Sequence, residues 1–312
     1  MFHRTIVVTF VFLLLFSFGT FTDAQAAEGG YSNYVPGTYG DFAAAVAPTE
    51  KITIRNDFYY YQADGGASVR SGSLETNADI EAAGALFTLL HKPDVGILGA
   101  QFAYGVLIPI PYIDIDAKLQ VRNQQVQRQD DVFSLGDIIL VPAILFWNKG
   151  NFHFSLAEYI VTPTGEYDKD NLANAGLNYW TFDTDFAVTY LNEKTGQDYS
   201  INFGYNYNTE NEATDYKTGQ EIHIDYMINQ FISESFAVGV HGFYLKQITG
   251  DSGAGASLGD FKAEAAGIGP AVLWSTKIFN TDVAFIAKWL HEYDAEKRFE
   301  GDHVFVSFAI SF

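Results

Sequence analysis

The 312-residue sequence contains no cysteine, which excludes disulfides, thiolate metal sites and cysteine nucleophiles. Basic residues are scarce: 18 Lys and Arg stand against 38 Asp and Glu, a formal net charge of −20. A chain this acidic repels phosphate backbones, so no nucleic-acid partner is expected. Long apolar runs are missing after the opening residues. No later stretch reaches the roughly 18 apolar residues that a spanning helix needs, so further membrane contact has to come through strands. What is abundant is aromatic side chain, 16% of the residues with 27 Phe and 19 Tyr. That is too much large apolar surface for a disordered chain. Transmembrane barrels use such residues in girdles at the two membrane interfaces.

Residues 1–26 read as a secretory signal peptide. Arg4 sits in a short n-region, an apolar core runs from about Ile6 to Phe18, and Ala24-Gln25-Ala26 forms the exit. Residues 27–50 are rich in Gly, Pro and Tyr and lack clean alternation, as expected of an N-terminal plug folded into a barrel mouth or of a periplasmic lead-in. Residues 51–312 are different: segments of alternating character recur between turn signals.

The chain end shows the pattern well. Val304, Val306, Phe308, Ile310 and Phe312 share one face of a period-2 strand, and Ser307, Ala309 and Ser311 share the other, with Phe305 the exception. In 198–208, Tyr199, Ile201, Phe203, Tyr205 and Tyr207 oppose Ser200, Asn202, Gly204, Asn206 and Asn208. In 177–191, Phe182, Phe186, Val188 and Tyr190 oppose Thr181, Asp183, Asp185 and Thr189. Soluble strands alternate too, but their polar faces usually carry Lys and Glu. Polar faces of Asn, Ser, Thr and Gly, together with the signal peptide and the terminal Phe, point to lipid outside and a wet lumen inside.

Strands are expected near 51–62, 78–90, 96–121, 134–147, 151–162, 177–191, 198–208, 218–230, 235–248, 261–276, 281–292 and 303–312. Pro109 and Pro111 interrupt the third, which is read as one long bent strand because bacterial barrels have an even strand number. The fold class is therefore all-β, a transmembrane antiparallel up-and-down barrel of about 12 strands, with about 14 as the alternative. Short turns near 93, 148–151, 233–235 and 278–281 alternate with long connections at 63–77, 163–176, 209–217, 249–260 and 293–302. The short ones belong in the periplasm and the long ones outside.

Turning the polar faces inward gives the candidate pore-lining residues: Arg55, Asp57, Gln101, Asp183, Asp185, Asn202, His223, Asp225, His241 and Lys288. Charges at such depth have to pair or sit in water. The stretch 136–147 has no polar face, since Ile139, Val141, Ala143 and Leu145 oppose Ile138, Leu140, Ile144 and Phe146. A lumen apolar on one wall and polar on another suits small hydrophobic or amphipathic solutes better than sugars. The alternative is that this wall packs beneath Phe42 and Ala43–Ala45 of the N-terminal segment.

No catalytic residue, cofactor or metal is assigned. The one cluster an outer-membrane enzyme would use is His223 with His241 and Asp225, brought together if the 218–248 hairpin pairs in the right register, and no GxSxG motif accompanies it. Glu166, Asp168 and Asp170 lack the complete calcium-loop pattern and read as a solvated outer loop. A general or structural barrel, porin-like or adhesin, remains the rival function.

Several long stretches carry a family resemblance: GGYSNYVPGTYGDF at 29–42, LGDIILVPAILFWNKGNFHFSL at 135–156, YIVTPTGEYD at 159–168, LANAGLNYWTFD at 172–183, GDFKAEAAGIGPAV at 259–272 and the final 285–312. Together they resemble the bacterial outer-membrane transporters associated with the phenol meta-cleavage pathway, over essentially the whole mature chain. The resemblance implies an outer-membrane barrel that takes up aromatic or other small hydrophobic compounds. It implies no catalytic residues and no settled binding site. The partners expected are those solutes, outer-membrane lipid and lipopolysaccharide, and the barrel-assembly machinery during insertion.

Overall fold

The computed structural model describes residues 30–64, 67–70, 73–121, 124–256, 262–279 and 281–312. The signal peptide expected over residues 1–26 lies outside them. Among the described residues the chain forms one sheet of fifteen strands. They are β1 (Ile52–Asp64), β2 (Ala67–Arg70), β3 (Ser73–His91), β4 (Gly96–Ile97), β5 (Ala100–Val121) and β6 (Gln124–Phe133). There follow β7 (Ile139–Lys149), β8 (Phe152–Val161), β9 (Thr181–Asn192), β10 (Gln197–Asn208) and β11 (Glu221–Ser233). The last are β12 (Phe236–Gln247), β13 (Glu264–Ile278), β14 (Thr281–Glu296) and β15 (Glu300–Ser311).

β7 to β15 pair in chain order, β15 pairs β1, β1 pairs β3, β3 pairs β5, and β5 returns to β7. With β2, β4 and β6 as side pieces on β3 and β5, twelve strands close the ring, all antiparallel. Closure leaves no sheet edge to be satisfied in hydrocarbon, which is why a barrel is one of two backbone arrangements that can cross a membrane.

The long strand over 96–121 is nearly as expected: β5 runs unbroken through Pro109 and Pro111, after the two-residue β4. Three expectations need correction. The connection expected at 63–77 is mostly strand, because β1 extends to Asp64 and β3 begins at Ser73. The one at 293–302 shrinks likewise, since β14 reaches Glu296 and β15 starts at Glu300. Residues 124–133, expected as connection, form β6 and pair the outer half of β5. In each case a hairpin continues beyond the length that a membrane needs (about 9–11 residues), because ladder pairing satisfies the backbone equally well in water.

Burial is inverted relative to a soluble sheet. On β10, Tyr199, Ile201, Phe203 and Tyr207 are exposed, while Ser200, Asn202, Asn206 and Asn208 are buried. On β15, Val304 and Val306 face out; Phe305 faces in and packs with Phe243, Ala265 and Leu290. Large side chains outside and small polar ones inside fit a wall with lipid around it and polar contents within it. No helix among the described residues is long and apolar enough to cross a membrane.

Candidate functional site: the barrel interior

Residues 33–45 hydrogen-bond to inward-facing side chains of β1, β9, β10, β11 and β14, so this segment runs through the interior. The centre of the site is built by three neighbouring strands. Register places Ala187, Asn202 and Asp225 in one row across β9, β10 and β11, Asp185, Gly204 and His223 in the next, and Asp183, Asn206 and Glu221 in the third. Side chains on one face of a strand recur every second residue, so all of these groups point inward together.

His223 is fully buried, with Nε2 3.0 Å from Asp183 Oδ1 and Nδ1 3.9 Å from Asp225 Oδ2. Asn202 donates to Asp185. The inner segment covers the group. Tyr34 donates to Asp225 Oδ2 at 2.8 Å and stacks on the His223 ring at 3.9 Å between centroids. Tyr39 donates to Asp183 Oδ2 at 2.9 Å. Burial first, and the adjoining carboxylates second, push both phenols well above the ordinary tyrosine pKa, so they stay protonated donors.

A second group lies at the seam between first and last strands. Arg55 Nε donates to Asp57 Oδ1 at 2.7 Å and Oδ2 at 2.9 Å, Nη2 donates to Ser307 at 3.1 Å, and Nη1 pairs with Asp41 of the inner segment. Burial works to raise the Asp41 pKa, but the Arg55 and Lys288 charges outweigh it and hold the carboxyl below its ordinary value. Lys288 is buried and donates to the carbonyls of Gly37 at 2.5 Å and Gly40 at 2.6 Å. The third group is on β10 to β12. Asp198 Oδ2 accepts from Ala43 N and from Asn229 Nδ2, both at 2.7 Å, and Asn229 Oδ1 lies 2.9 Å from His241 Nε2.

The ten residues expected to line the pore thus fall into groups. Asp183, Asp185, Asn202, His223 and Asp225 come together; Arg55, Asp57 and Lys288 meet the inner segment elsewhere; and His241 joins Asn229. Gln101 stands apart, exposed near the short-turn end of β5. His223 and His241 do not approach one another: register sets His223 against Leu245 and His241 against Met227. Tyr34, Tyr39, Asp41, Asp198 and Asn229 were missed. Asp198 and Asn229 did carry a signal, since each continues the polar face of its strand.

On β5 and β7, Leu107, Val141, Ile144 and Phe146 bury an apolar wall, against which Ala47 of the inner segment packs. A bulge between Leu140 and Ala143 changes which residues face in, so Ile144 and Phe146 line this wall and Leu140 is exposed. At the loop end a narrow cleft, with room for little more than a water, is lined by Tyr31, Tyr167, Lys169, Asn174, Leu177 and Tyr179.

A closed antiparallel barrel, apolar outside and polar within, defines this protein as an outer-membrane β-barrel. The chain belongs to the family described as "Putative MetA-pathway of phenol degradation", whose model matches residues 40–308. Its fold is similar to that of the COG4313 outer membrane channel from Pseudomonas putida F1: TM-score 0.62 and 14% identity, over 89% of this chain and 99% of that one. A Pseudomonas aeruginosa FadL homologue is a looser match, TM-score 0.40 and 8% identity, over 92% of this chain and 98% of that one. No curated protein sequence matches the chain.

Proposed function

We propose that this barrel is a passive channel admitting small hydrophobic, chiefly aromatic, solutes across the outer membrane, and that it does no covalent chemistry on them. One observation carries the reading: the interior is two-sided, with Leu107, Val141, Ile144 and Phe146 on β5 and β7 and with Asp183, Asp185 and His223 on β9 and β11. An aromatic ring with one polar substituent matches such a lumen, ring to the apolar wall and substituent to the polar one. Residues 27–50 act as the plug that sets selectivity, and Arg55, Asp183, His223, Asp225, His241 and Lys288 of the candidate pore-lining residues act through it by contacting it. The family's association with phenol degradation supports this choice of solute. The outer face meets lipid and lipopolysaccharide, and insertion needs the assembly machinery common to such barrels.

The test is flux through the purified, refolded protein in liposomes, comparing phenol or toluate with a sugar of similar size. Aromatic flux well above both the sugar and bare liposomes supports the reading. Equal rates overturn it in favour of a general pore. Flux of neither solute before or after removal of residues 27–50 favours a structural barrel.

A further inference from the structure

The carboxylates around His223 pose a charge problem that the transport reading does not address. Asp183, Asp185 and Asp225 are each at most 4% exposed, and His223 is fully buried. Buried carboxylates need a compensating charge or a full set of hydrogen bonds. Arg55 is engaged with Asp41 and Asp57 and Lys288 with two backbone carbonyls, and a protonated His223 offsets at most one of the three carboxylates. The hydrogen bonds are incomplete as well: Asp185 Oδ2, Asp225 Oδ1 and His223 Nδ1 have no hydrogen-bond partner among the described residues.

One oxygen of Asp183, one of Asp185 and one nitrogen of His223 all lie within 4.8 Å of one another. The backbone produces this convergence. Asp183 and Asp185 share the inner face of β9, and His223 projects from β11, two strands away. Between them on β10 stands Gly204, in register with both Asp185 and His223. Its missing side chain lets the imidazole lie across β10 and bring Nε2 to Asp183.

We propose that Asp183, Asp185 and His223 form a binding site for a divalent transition-metal ion in the barrel interior, independent of which solute the channel carries. An imidazole nitrogen with two carboxylate oxygens suits Zn²⁺, Mn²⁺ or Fe²⁺, whereas Ca²⁺ and Mg²⁺ prefer all-oxygen sets. The ion requires metal–ligand distances of about 2.0–2.2 Å, so the three donors close in slightly around it. Its two positive charges offset two of the buried carboxylates. A water completes the coordination, and Asp225 lies on the side of the second imidazole nitrogen, where a carboxylate orients a metal-bound histidine. Tyr34 and Tyr39 donate to Asp225 and Asp183 from the inner segment, so that segment braces one metal ligand, Asp183, and the carboxylate behind the imidazole.

Zn²⁺ titrated by calorimetry into the refolded, chelator-treated full chain is expected to bind at one ion per barrel. Co²⁺ in its place is expected to give visible absorption bands reporting nitrogen and oxygen ligands. Asp185→Asn, isosteric and one ligand short, is expected to weaken Zn²⁺ at least about tenfold and to abolish the Co²⁺ bands. His291→Ala is the control, because exposed His291 and Asp302 lie 3.1 Å apart and offer an adventitious surface site. Absence of saturable binding by the wild type overturns the proposal without any variant. Unchanged binding in Asp185→Asn, or binding lost only in His291→Ala, overturns it too. Heat-modifiable gel mobility establishes that each variant is a folded barrel, and Asp183→Asn serves in the same role if Asp185→Asn is not.

Discussion

Gly204 stands directly beneath the ring of His223: a Cβ at that position would fall 2.0 Å from the imidazole Cε1 and 2.1 Å from Nε2. The contact is with a ring wedged between strands and inner segment, not with a flexible chain end. Gly204→Ala is therefore expected to push His223 off Asp183 and to destabilise the barrel by about 1–3 kcal/mol, the usual range for overpacking. Urea unfolding followed by tryptophan fluorescence measures it. An unchanged midpoint would mean that the ring has room to move.

Lys288 fastens the inner segment through Gly37 and Gly40. Lys288→Met keeps the stem and removes the ammonium; the Gly37 carbonyl keeps the bond from Gly40 N–H at 3.2 Å, while the Gly40 carbonyl loses its Lys288 donor at about 1–3 kcal/mol. The segment is expected to detach while the barrel remains closed. Single-channel conductance in planar bilayers should rise several-fold, and protease added from the short-turn side should trim the N-terminus faster than in the wild type.

Asp41 supplies the pH dependence. Its pKa is held below the ordinary value in the folded protein, so its contribution to stability is present above the unfolded pKa. That contribution fades as pH falls through the folded pKa. The attachment of Asp41 to Arg55 is thus expected to hold from neutrality down to about pH 4 and to fail progressively in stronger acid. Conductance recorded against pH should step up only at the acid end. Asp41→Asn should remove the step and raise conductance at neutral pH.

The apolar wall makes a separate prediction. Ile144→Asn places an amide among Leu107, Val141 and Phe146. An unpaired amide there costs about 1–3 kcal/mol. In liposome flux, entry of phenol or toluate should drop several-fold while entry of a sugar of similar size stays level. An equal fall in both would indicate a general collapse of the lumen.

The strand faces were readable because alternation is local. Tyr199 to Asn208 fixes which side chains face lipid without reference to any other strand, and the same holds for Val304 to Ser311. Which inward residues meet is a matter of register across strands, and alternation carries none of it. Asp183, Asp185, His223 and Asp225 lie on the polar strand faces that alternation marks, yet their convergence depends on Gly204 lying opposite both Asp185 and His223. The same lack of register information made His223 and His241 look like neighbours. The inner segment was harder still. Residues 30–50 contain no regular element, so Tyr34, Tyr39 and Asp41 have no periodicity to betray their targets, only a length of chain sufficient to reach them. Extra pairing above the membrane, as in β6, was hidden because its residues are polar on both faces.

The inner segment continues without a break into β1, the strand that joins β15 to complete the ring. Arg55 of β1 grips Asp41 of the segment and Ser307 of β15 with the same guanidinium. The seam is therefore held from within as well as by the ladder of β15 on β1. Without the segment, Arg55 would lose Asp41, Asp198 would lose Ala43 and Lys288 would lose Gly37 and Gly40, and water would take their places. The contents of the lumen thus double as a clasp across its last joint.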